Sequence, residues 1–348
     1  AGSVNIDMIA AAAPNSLNQL RVQSEGYDLC VIDLNDLEAR KEEENTTAAL
    51  LRGECAAFTQ RGAKLAGLDV YISSNVPKGS GVSSSAAFEV LIGVILNDCF
   101  MTKKVSPIEI AQIGQWAENV YFGKPCGLMD QTACAVGKVI TIDFKEVGHP
   151  VVREVPFDLA AKGFALCISD TKGSHADLTD DYAAVRREME SVAEFFGKKV
   201  LRDVDEETFL KAIPEVRKVT GDRAVVRAIH FYNDSRRAGE IYEAIKADDF
   251  DRFLQLIIEG GHSSFEFNQN AYSIKNPQEQ GVPLALAISQ KVLNGRGAWR
   301  LQGGGFAGTV QAFVPLEKLD AFKAEMEAIL GAGKCHILSI RPEGGAVL

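Results

Sequence analysis

Residues 77–87 read Pro77-Lys78-Gly79-Ser80-Gly81-Val82-Ser83-Ser84-Ser85-Ala86-Ala87 and run straight into an apolar helical stretch. Pro77, Gly79 and Gly81 keep the loop tight and bare, so backbone N–H groups can approach a ligand closely. Ser83, Ser84 and Ser85 place hydroxyls where a helix N-terminus has unpaired donors and partial positive charge. Such a loop is suited to phosphate. It has neither the Gly-x-x-x-x-Gly-Lys-Ser/Thr spacing of a Walker loop nor the dinucleotide-binding fingerprint. Turn chemistry alone accounts for Gly and Ser at a helix entry, so the loop gains its meaning from the rest of the chain.

At 348 residues the chain is long enough for two domains with separate cores. Its hydrophobic content of 46% and charged content of 24% are those of an ordinary globular protein. A net charge of −10 with scattered basic residues disfavours nucleic acid as a partner. Arg186-Arg187 and Arg236-Arg237 are short runs on helical stretches and read as solvated faces. The longest apolar stretch, Ala86 to Leu96, is broken by Glu89 and is too short to span a bilayer, so no membrane partner is expected. No secretory signal is seen ahead of the first strand. Seven cysteines without a CxxC pair point to buried thiols in a reducing cytoplasm. The five histidines have no metal-ligand spacing, so a metal cage built from side chains alone is not expected.

The patterning predicts strands over Val4–Ala12 and Gln19–Leu34, a helix over Thr46–Ala66 and a strand over Leu68–Ser73. A helix follows over Ser84–Asn97, with Val90, Leu91, Val94 and Ile95 as its apolar face. Further helices are expected over Pro107–Tyr121 and around Asp130, then strands over Lys138–Phe144 and Gly163–Ser169. Beyond Asp177 the chain turns helical over Tyr182–Phe196, Asp222–Ala247 and Asp249–Phe265, and Asn268–Gln280 reads as a polar loop. The C-terminus predicts strand 298–301, a Gly-rich loop, strand 309–313, helix 316–330 and strand 335–340. Strands and helices mix without strict βαβ alternation, which argues an α+β fold in two lobes. The boundary between them is expected between Val147 and Gly163.

Three further segments carry chemistry. Ala117-Glu118-Asn119-Val120-Tyr121-Phe122-Gly123-Lys124-Pro125-Cys126-Gly127-Leu128-Met129-Asp130-Gln131 puts a Glu at a helix end and an Asp just past a Pro-Cys-Gly turn. Asp170 to Arg187 reads DTKGSHADLTDDYAAVRR, and Gly303-Gly304-Gly305-Phe306-Ala307-Gly308 joins two C-terminal strands. In this order and at these separations the set resembles the GHMP kinase superfamily and, within it, the galactokinases. The resemblance runs over nearly the whole chain. "PCGxMDQ" and "GGGF" are its specific marks; Arg227 to His230 and His262 to Ser264 are weak ones.

The resemblance implies a ribosomal-protein-S5-like N-terminal domain (residues 1–155) and a ferredoxin-like α+β C-terminal domain (residues 156–348). It implies an ATP-dependent, Mg²⁺-using kinase for the C1 hydroxyl of galactose or a close relative. Pro77, Gly79, Ser80, Gly81, Val82, Ser83, Ser84 and Ser85 would hold the nucleotide phosphates. Ser85 and Glu118 would hold Mg²⁺, which needs few protein oxygens beside phosphate. Asp130 would be the general base, and Gly127, Asp130, Tyr182, Gly304 and Gly305 would meet the sugar. Protein partners are not indicated.

Each residue also has a plainer reading. Glu118 could be a helix-end surface carboxylate, Asp130 an N-cap, and Tyr182 a core aromatic with its OH satisfied. Gly303 to Gly308 could be a strand connection that needs positive φ, and His175 carries no role. Galactokinases also open with a segment bearing a phosphate-stabilising Arg and a Gly-Glu-His-Thr-Asp signature. Ala1-Gly2-Ser3-Val4-Asn5-Ile6-Asp7 resembles the strand just after it, so a few tens of residues are expected to be missing from this sequence. Aromatic residues for adenine near Thr46 to Leu51 are absent, and Gln302, Ala307 and Asn119 replace common family residues. These departures keep two alternatives open: an N-acetylgalactosamine kinase, and a sugar- and ATP-binding sensor with impaired catalysis.

Overall fold

Alternation of apolar and polar residues builds the first sheet. In a computed structural model describing residues 1–77, 81–171, 178–306 and 308–348, strands β1 (Met8–Pro14), β2 (Gln19–Ser24), β3 (Cys30–Asp33) and β4 (Leu68–Ser74) pair in the order β1-β4-β2-β3. β4 runs antiparallel to β1 and parallel to β2, and β2 pairs antiparallel with β3. Leu20, Val22, Ile32, Leu68, Val70 and Ile72 are buried on one face, while Arg21, Asp69 and Tyr71 lie on the other, as period-two patterning requires. The single strand expected over Gln19–Leu34 is a hairpin instead. Gly26 adopts a left-handed φ of 79°, and the Tyr27 N–H closes the turn on the Ser24 carbonyl.

Helices α1 (Thr47–Gln60), α2 (Ser84–Phe100), α3 (Pro107–Ala117) and α4 (Met129–Val136) belong to the same compact unit, which comprises Ala1–Ile142, Val151–Glu154 and Ile340–Leu348. Thr46 caps α1 by accepting from the Ala49 N–H. That helix stops six residues before the expected Ala66, because the Arg61, Gly62 and Ala63 N–H groups turn back onto the Phe58 and Thr59 carbonyls. α3 starts with a full capping box between Ser106 and Glu109, with Pro107 in its first turn. It gives way after Ala117 to one π turn, Glu118–Phe122, where the sequence predicted continuous helix to Tyr121. In α2 the buried positions are Ala86, Glu89, Val90, Ile92, Gly93 and Leu96, so of the four residues expected on the apolar face only Val90 is fully buried. The stripe facing inward is built around a glutamate and a glycine, which hydrophobicity does not flag. Strands β5 (Val139–Asp143) and β6 (Val151–Val155) form a hairpin. The C-terminal segment returns to this unit: the Lys138 N–H donates to the Arg341 carbonyl and the Arg341 N–H to Ser3.

The second unit comprises Asp143–Pro150 and Val155–Ser339. Its sheet is antiparallel throughout, in the order β10 (Cys335–Leu338), β7 (Phe164–Asp170), β9 (Thr309–Pro315), β8 (Ala298–Gln302). Val310 and Val314 of this sheet pack with Val282 and Leu293 of α9 (Gly281–Leu293) and Phe322 and Met326 of α10 (Leu319–Leu330). Helices α5 (Thr179–Phe195), α6 (Glu206–Thr220), α7 (Asp222–Lys246) and α8 (Phe250–Ser263) complete it, with Val192, Phe209, Val216, Val225 and Tyr232 in a second core cluster. α6, α9 and β6 are additional to the elements that patterning named. The fold is α+β, and among the described residues no helix is long and apolar enough to cross a membrane.

Close helix packing in the first unit depends on Gly53 of α1. A Cβ there would lie 2.9 Å from both Ala117 Cβ and Tyr121 Cγ. Gly53→Ala is expected to lower unfolding stability by about 1–3 kcal/mol through overpacking, read as a lower urea midpoint. An unchanged midpoint would mean that α1 and α3 can separate freely.

Candidate active site

The entry to α2 is strained in a particular way. Gly81 (φ 69°) and Ser83 (φ 53°) are both left-handed, so the chain turns sharply on either side of Val82. Ser83 then stands just before the first helical turn, and its carbonyl accepts the first helix bond from Ala87. A left-handed non-glycine residue is uncommon and costs conformational energy. Here the Ser83 hydroxyl donates to Asp130 Oδ2, from a residue 47 positions away. Pro77, Val82, Ser84 and Ser85 are half-buried beside this turn, and Gly81 is exposed. Gly79 and Ser80, also expected at the phosphate loop, lie outside the described residues, as do His175 and Ala307.

Asp130 is exposed in the first turn of α4, whose N-cap is Leu128. It is therefore not the cap that its sequence position suggested; its side chain faces Ser83 instead. The positive end of the helix favours a carboxylate in that turn. Gly127, in the loop before α4, is exposed, and a Cβ there would meet nothing within 4 Å. Packing does not demand a glycine at that position.

Glu118 is not a surface carboxylate: only 3% of it is exposed. Its Oε1 accepts from Lys124 Nζ at 3.1 Å and its Oε2 from Gln131 Nε2 at 3.1 Å. The same Gln131 nitrogen donates to Glu89 Oε2 at 3.0 Å. Glu54 of α1 and Glu89 of α2 are buried as well. Burial, and then the nearby Glu118, push the Glu89 carboxyl up to about 8. Burial and Glu89 likewise hold the Glu54 carboxyl well above the ordinary range. Glu54 Oε2, Glu89 Oε1 and Gln131 Oε1 have no hydrogen-bond partner among the described residues. Burial would lower the Lys124 ammonium, but Glu118 beside it outweighs this and raises it.

This donor set fits a magnesium ion that arrives with phosphate. No group of three or more His, Cys, Asp or Glu placed to hold a metal occurs among the described residues. Magnesium bound with a nucleotide uses one or two protein oxygens and fills its octahedron with phosphate and water. Glu118 Oε1 already accepts a cation, the Lys124 ammonium.

In the second unit Tyr182 of α5 is half-buried, and its OH donates to the Gly305 carbonyl at 2.8 Å. Gly304 lies flat on the ring, since a Cβ there would come 2.7 Å from Tyr182 Cε1. Gly305 has φ 80°, and a Cβ on it would collide with the Asn270 carbonyl at 2.0 Å. Phe306 meets the Tyr182 ring edge-on at 5.2 Å. Gly304 is thus required by close approach, and Gly305 by close approach and backbone conformation together.

The structure brings Ser83 to Asp130, Glu118 to Gln131, and Tyr182 to Gly304 and Gly305. Sequence reasoning assigned no role to Glu89, Lys124 or Gln131. Glu89 had a visible signal, as the one charge interrupting the apolar stretch Ala86 to Leu96. Gln131 and Lys124 lay within the quoted motif, but only folding shows that both reach Glu118.

Residues 48–138 match the model of the GHMP kinases N-terminal domain. The chain is 30% identical over 331 residues to a galactokinase of Streptomyces coelicolor, an alignment covering 93% of this chain and 81% of that protein. It is 34% identical over 276 residues to a galactokinase of Actinobacillus pleuropneumoniae, covering 78% and 66% respectively. The fold matches a Lactococcus lactis galactokinase complexed with galactose at a TM-score of 0.81 and 21% identity, covering 100% of this chain and 88% of that one. A mevalonate kinase shares it at a TM-score of 0.63 and 13% identity, covering 98% and 92%.

The buried carboxyls make stability depend on pH in a defined direction. Folded, Glu89 keeps its proton up to about 8, whereas unfolded it releases it near the ordinary 4.5. The folded state therefore binds more protons in that window, and stability falls as pH rises through it. Glu54, Glu118, Asp130 and Lys124 face the same site, and Glu54 acts in the same direction. In Glu89→Gln, which still accepts from Gln131, the drop in Tm from about pH 5 to about pH 8.5 should be shallower than in the wild type. Equal slopes would mean that Glu89 ionises freely in the fold.

Proposed function

The chain belongs to the galactokinase family, phosphotransferases of the GHMP kinase fold, and on that footing we propose that it transfers the γ-phosphate of ATP to the C1 hydroxyl of galactose or a close relative. The observation that carries this reading is the Ser83–Asp130 contact, which joins the helix entry suited to phosphate with an exposed carboxylate.

Asp130 is the general base. It takes the C1 hydroxyl proton as that oxygen attacks the γ-phosphorus, and ADP departs with the electrons of the broken P–O bond. The Ser83 hydroxyl holds Asp130 toward the phosphates beforehand. The first N–H groups of α2 lack helix partners by geometry and face anionic oxygen. Pro77, Gly81, Val82, Ser84 and Ser85 shape that cradle, together with Gly79 and Ser80. Ser85 and Glu118 would hold a magnesium ion, which would supply neutralisation of phosphate charge there. Gly127, Tyr182, Gly304 and Gly305 are the sugar-facing positions. Tyr182 is fixed by its bond to Gly305, so it offers a rigid ring face rather than a mobile hydroxyl. A site of this kind accelerates transfer mainly by positioning and charge stabilisation.

ADP release from Mg·ATP, measured with galactose, with N-acetylgalactosamine and without sugar, tests the reading. Galactose-dependent release supports it, and release only with the acetylated sugar reassigns the acceptor. Binding of sugar and ATP without release would favour the sensor alternative. Asp130→Asn, which can still accept from Ser83, should lose ~10²–10⁴-fold in kcat, the usual contribution of a positioned base. The KM for Mg·ATP should move far less. A kcat near wild type would remove Asp130 from the chemistry.

A further inference from the structure

Lys124 sits on Glu118 because the backbone puts it there. After the π turn Glu118–Phe122, Gly123 takes a left-handed φ of 83°. The Gly123 N–H and the Lys124 N–H both donate to the Glu118 carbonyl, the second at 3.2 Å. The chain therefore doubles back over the residue it has just left. The loop beyond is pinned on both sides of one residue: the Cys126 N–H donates to Asn119 Oδ1 at 2.7 Å, and the Cys126 carbonyl accepts from Gln115 Nε2 at 3.1 Å. With the backbone fixed, Lys124 Nζ reaches Glu118 Oε1 at 3.1 Å.

The pair is lopsided. The Glu118 side chain is 3% exposed and that of Lys124 is 59% exposed. A buried carboxylate is costly unless compensated. The other groups within reach of Glu118 are a neutral amide, Gln131, the thiol of Cys126, which hydrogen-bonds to it, and another acid, Glu89; none of them is a cation. Lys124 is the cation that compensates it, and it approaches from the solvent side. The oxygen it occupies is the one a divalent ion would need, since Gln131 holds the other.

Resting on the reading of Glu118 as the magnesium ligand, we propose that Lys124 is a tethered counter-ion that occupies the metal position on Glu118 until Mg·nucleotide displaces it. Metal loading is then an exchange of one cation for another rather than the filling of a bare carboxylate. The ammonium is held by one hydrogen bond on a flexible, largely exposed stem, so it can leave without disturbing the fold. Its cost appears as weakened discrimination between metal-bound and metal-free nucleotide.

The test compares the Kd of a non-hydrolysable ATP analogue with Mg²⁺ and with EDTA, by calorimetry and without sugar. In Lys124→Met the ratio of metal-free to metal-bound Kd should rise about three- to tenfold, the range expected for removing one partly exposed competing charge. The metal-free Kd should stay within about twofold of wild type. Lys124→Arg, which keeps the charge, should behave like the wild type and guards against a packing artefact. An unchanged ratio in Lys124→Met would overturn the proposal, as would weaker metal-free binding, which would make Lys124 a phosphate ligand instead. Glu118→Gln separates the two levels of the argument. If it collapses the ratio while Lys124→Met does nothing, only the counter-ion role fails. If Glu118→Gln leaves the ratio intact, Glu118 is not the metal ligand and both readings fall.

Discussion

One side-chain amide is shared by two buried acids, and the first unit is arranged around it. Gln131 Nε2 donates to Glu89 and to Glu118, and so ties α4 to α2 and to the end of α3. Acids brought together in a dry interior repel unless one holds its proton or a donor lies between them. Both conditions are met, since Glu89 resists ionisation and Gln131 bridges. The helices must come close for the bridge to form. Gly114 allows it on one side, where a Cβ would lie 2.9 Å from Glu89 Cβ, and Gly93 on the other, where it would lie 2.7 Å from Ile110 Cγ2. Asp130 is the residue before Gln131, so the position of the proposed base is inherited from a bond its neighbour makes. The proposed phosphate loop is likewise joined to α2, which carries Glu89.

The second unit uses a different device for the same end. There an aromatic ring and a glycine run are held together by one hydroxyl bond and by contacts that no side chain would permit. Tyr182, Gly304, Gly305 and Asn270 form this knot, with the Asn270 Nδ2 donating to the Gly304 carbonyl at 3.0 Å and the Phe306 N–H returning to the Asn270 carbonyl. The plain reading of Tyr182 as a core aromatic with a satisfied hydroxyl describes its bonding well. A sugar-facing role depends on the exposed part of the same ring, and the two are compatible.

Legibility in the sequence followed the physical range of each signal. Period-two alternation marked β4 and the start of β2, because burial of one sheet face is written locally; β1 and the almost wholly buried β7 and β9 read as apolar runs without it. Ser106-Pro107 marked the start of α3 for the same local reason, and the capping box with Glu109 was added by the structure. The end of α3 was not legible: the π turn that aims Glu118 inward has no composition of its own. Nor was the split of β2 and β3, since Gly26 in a polar run can stand in a loop or a bend. The motif residues Asp130, Glu118 and Ser83 were visible as types and spacings. That Ser83 reaches Asp130, and that Glu118 is buried under Lys124, are long-range facts set by helix packing. The helix α9 was also missed, although Val282, Ala285, Ser289 and Leu293 are buried at helical spacing, because two of those four are small residues that do not stand out by hydrophobicity.

The position of the transferred phosphate on the sugar reports directly on Asp130 as the base. The product formed from galactose and Mg·ATP should be read by ³¹P and ¹H NMR. The predicted result is a single phosphate ester whose phosphorus couples to the anomeric proton, which places the new bond at C1, where Asp130 can take the hydroxyl proton. An ester at another carbon, or inorganic phosphate in place of any sugar ester, would contradict it.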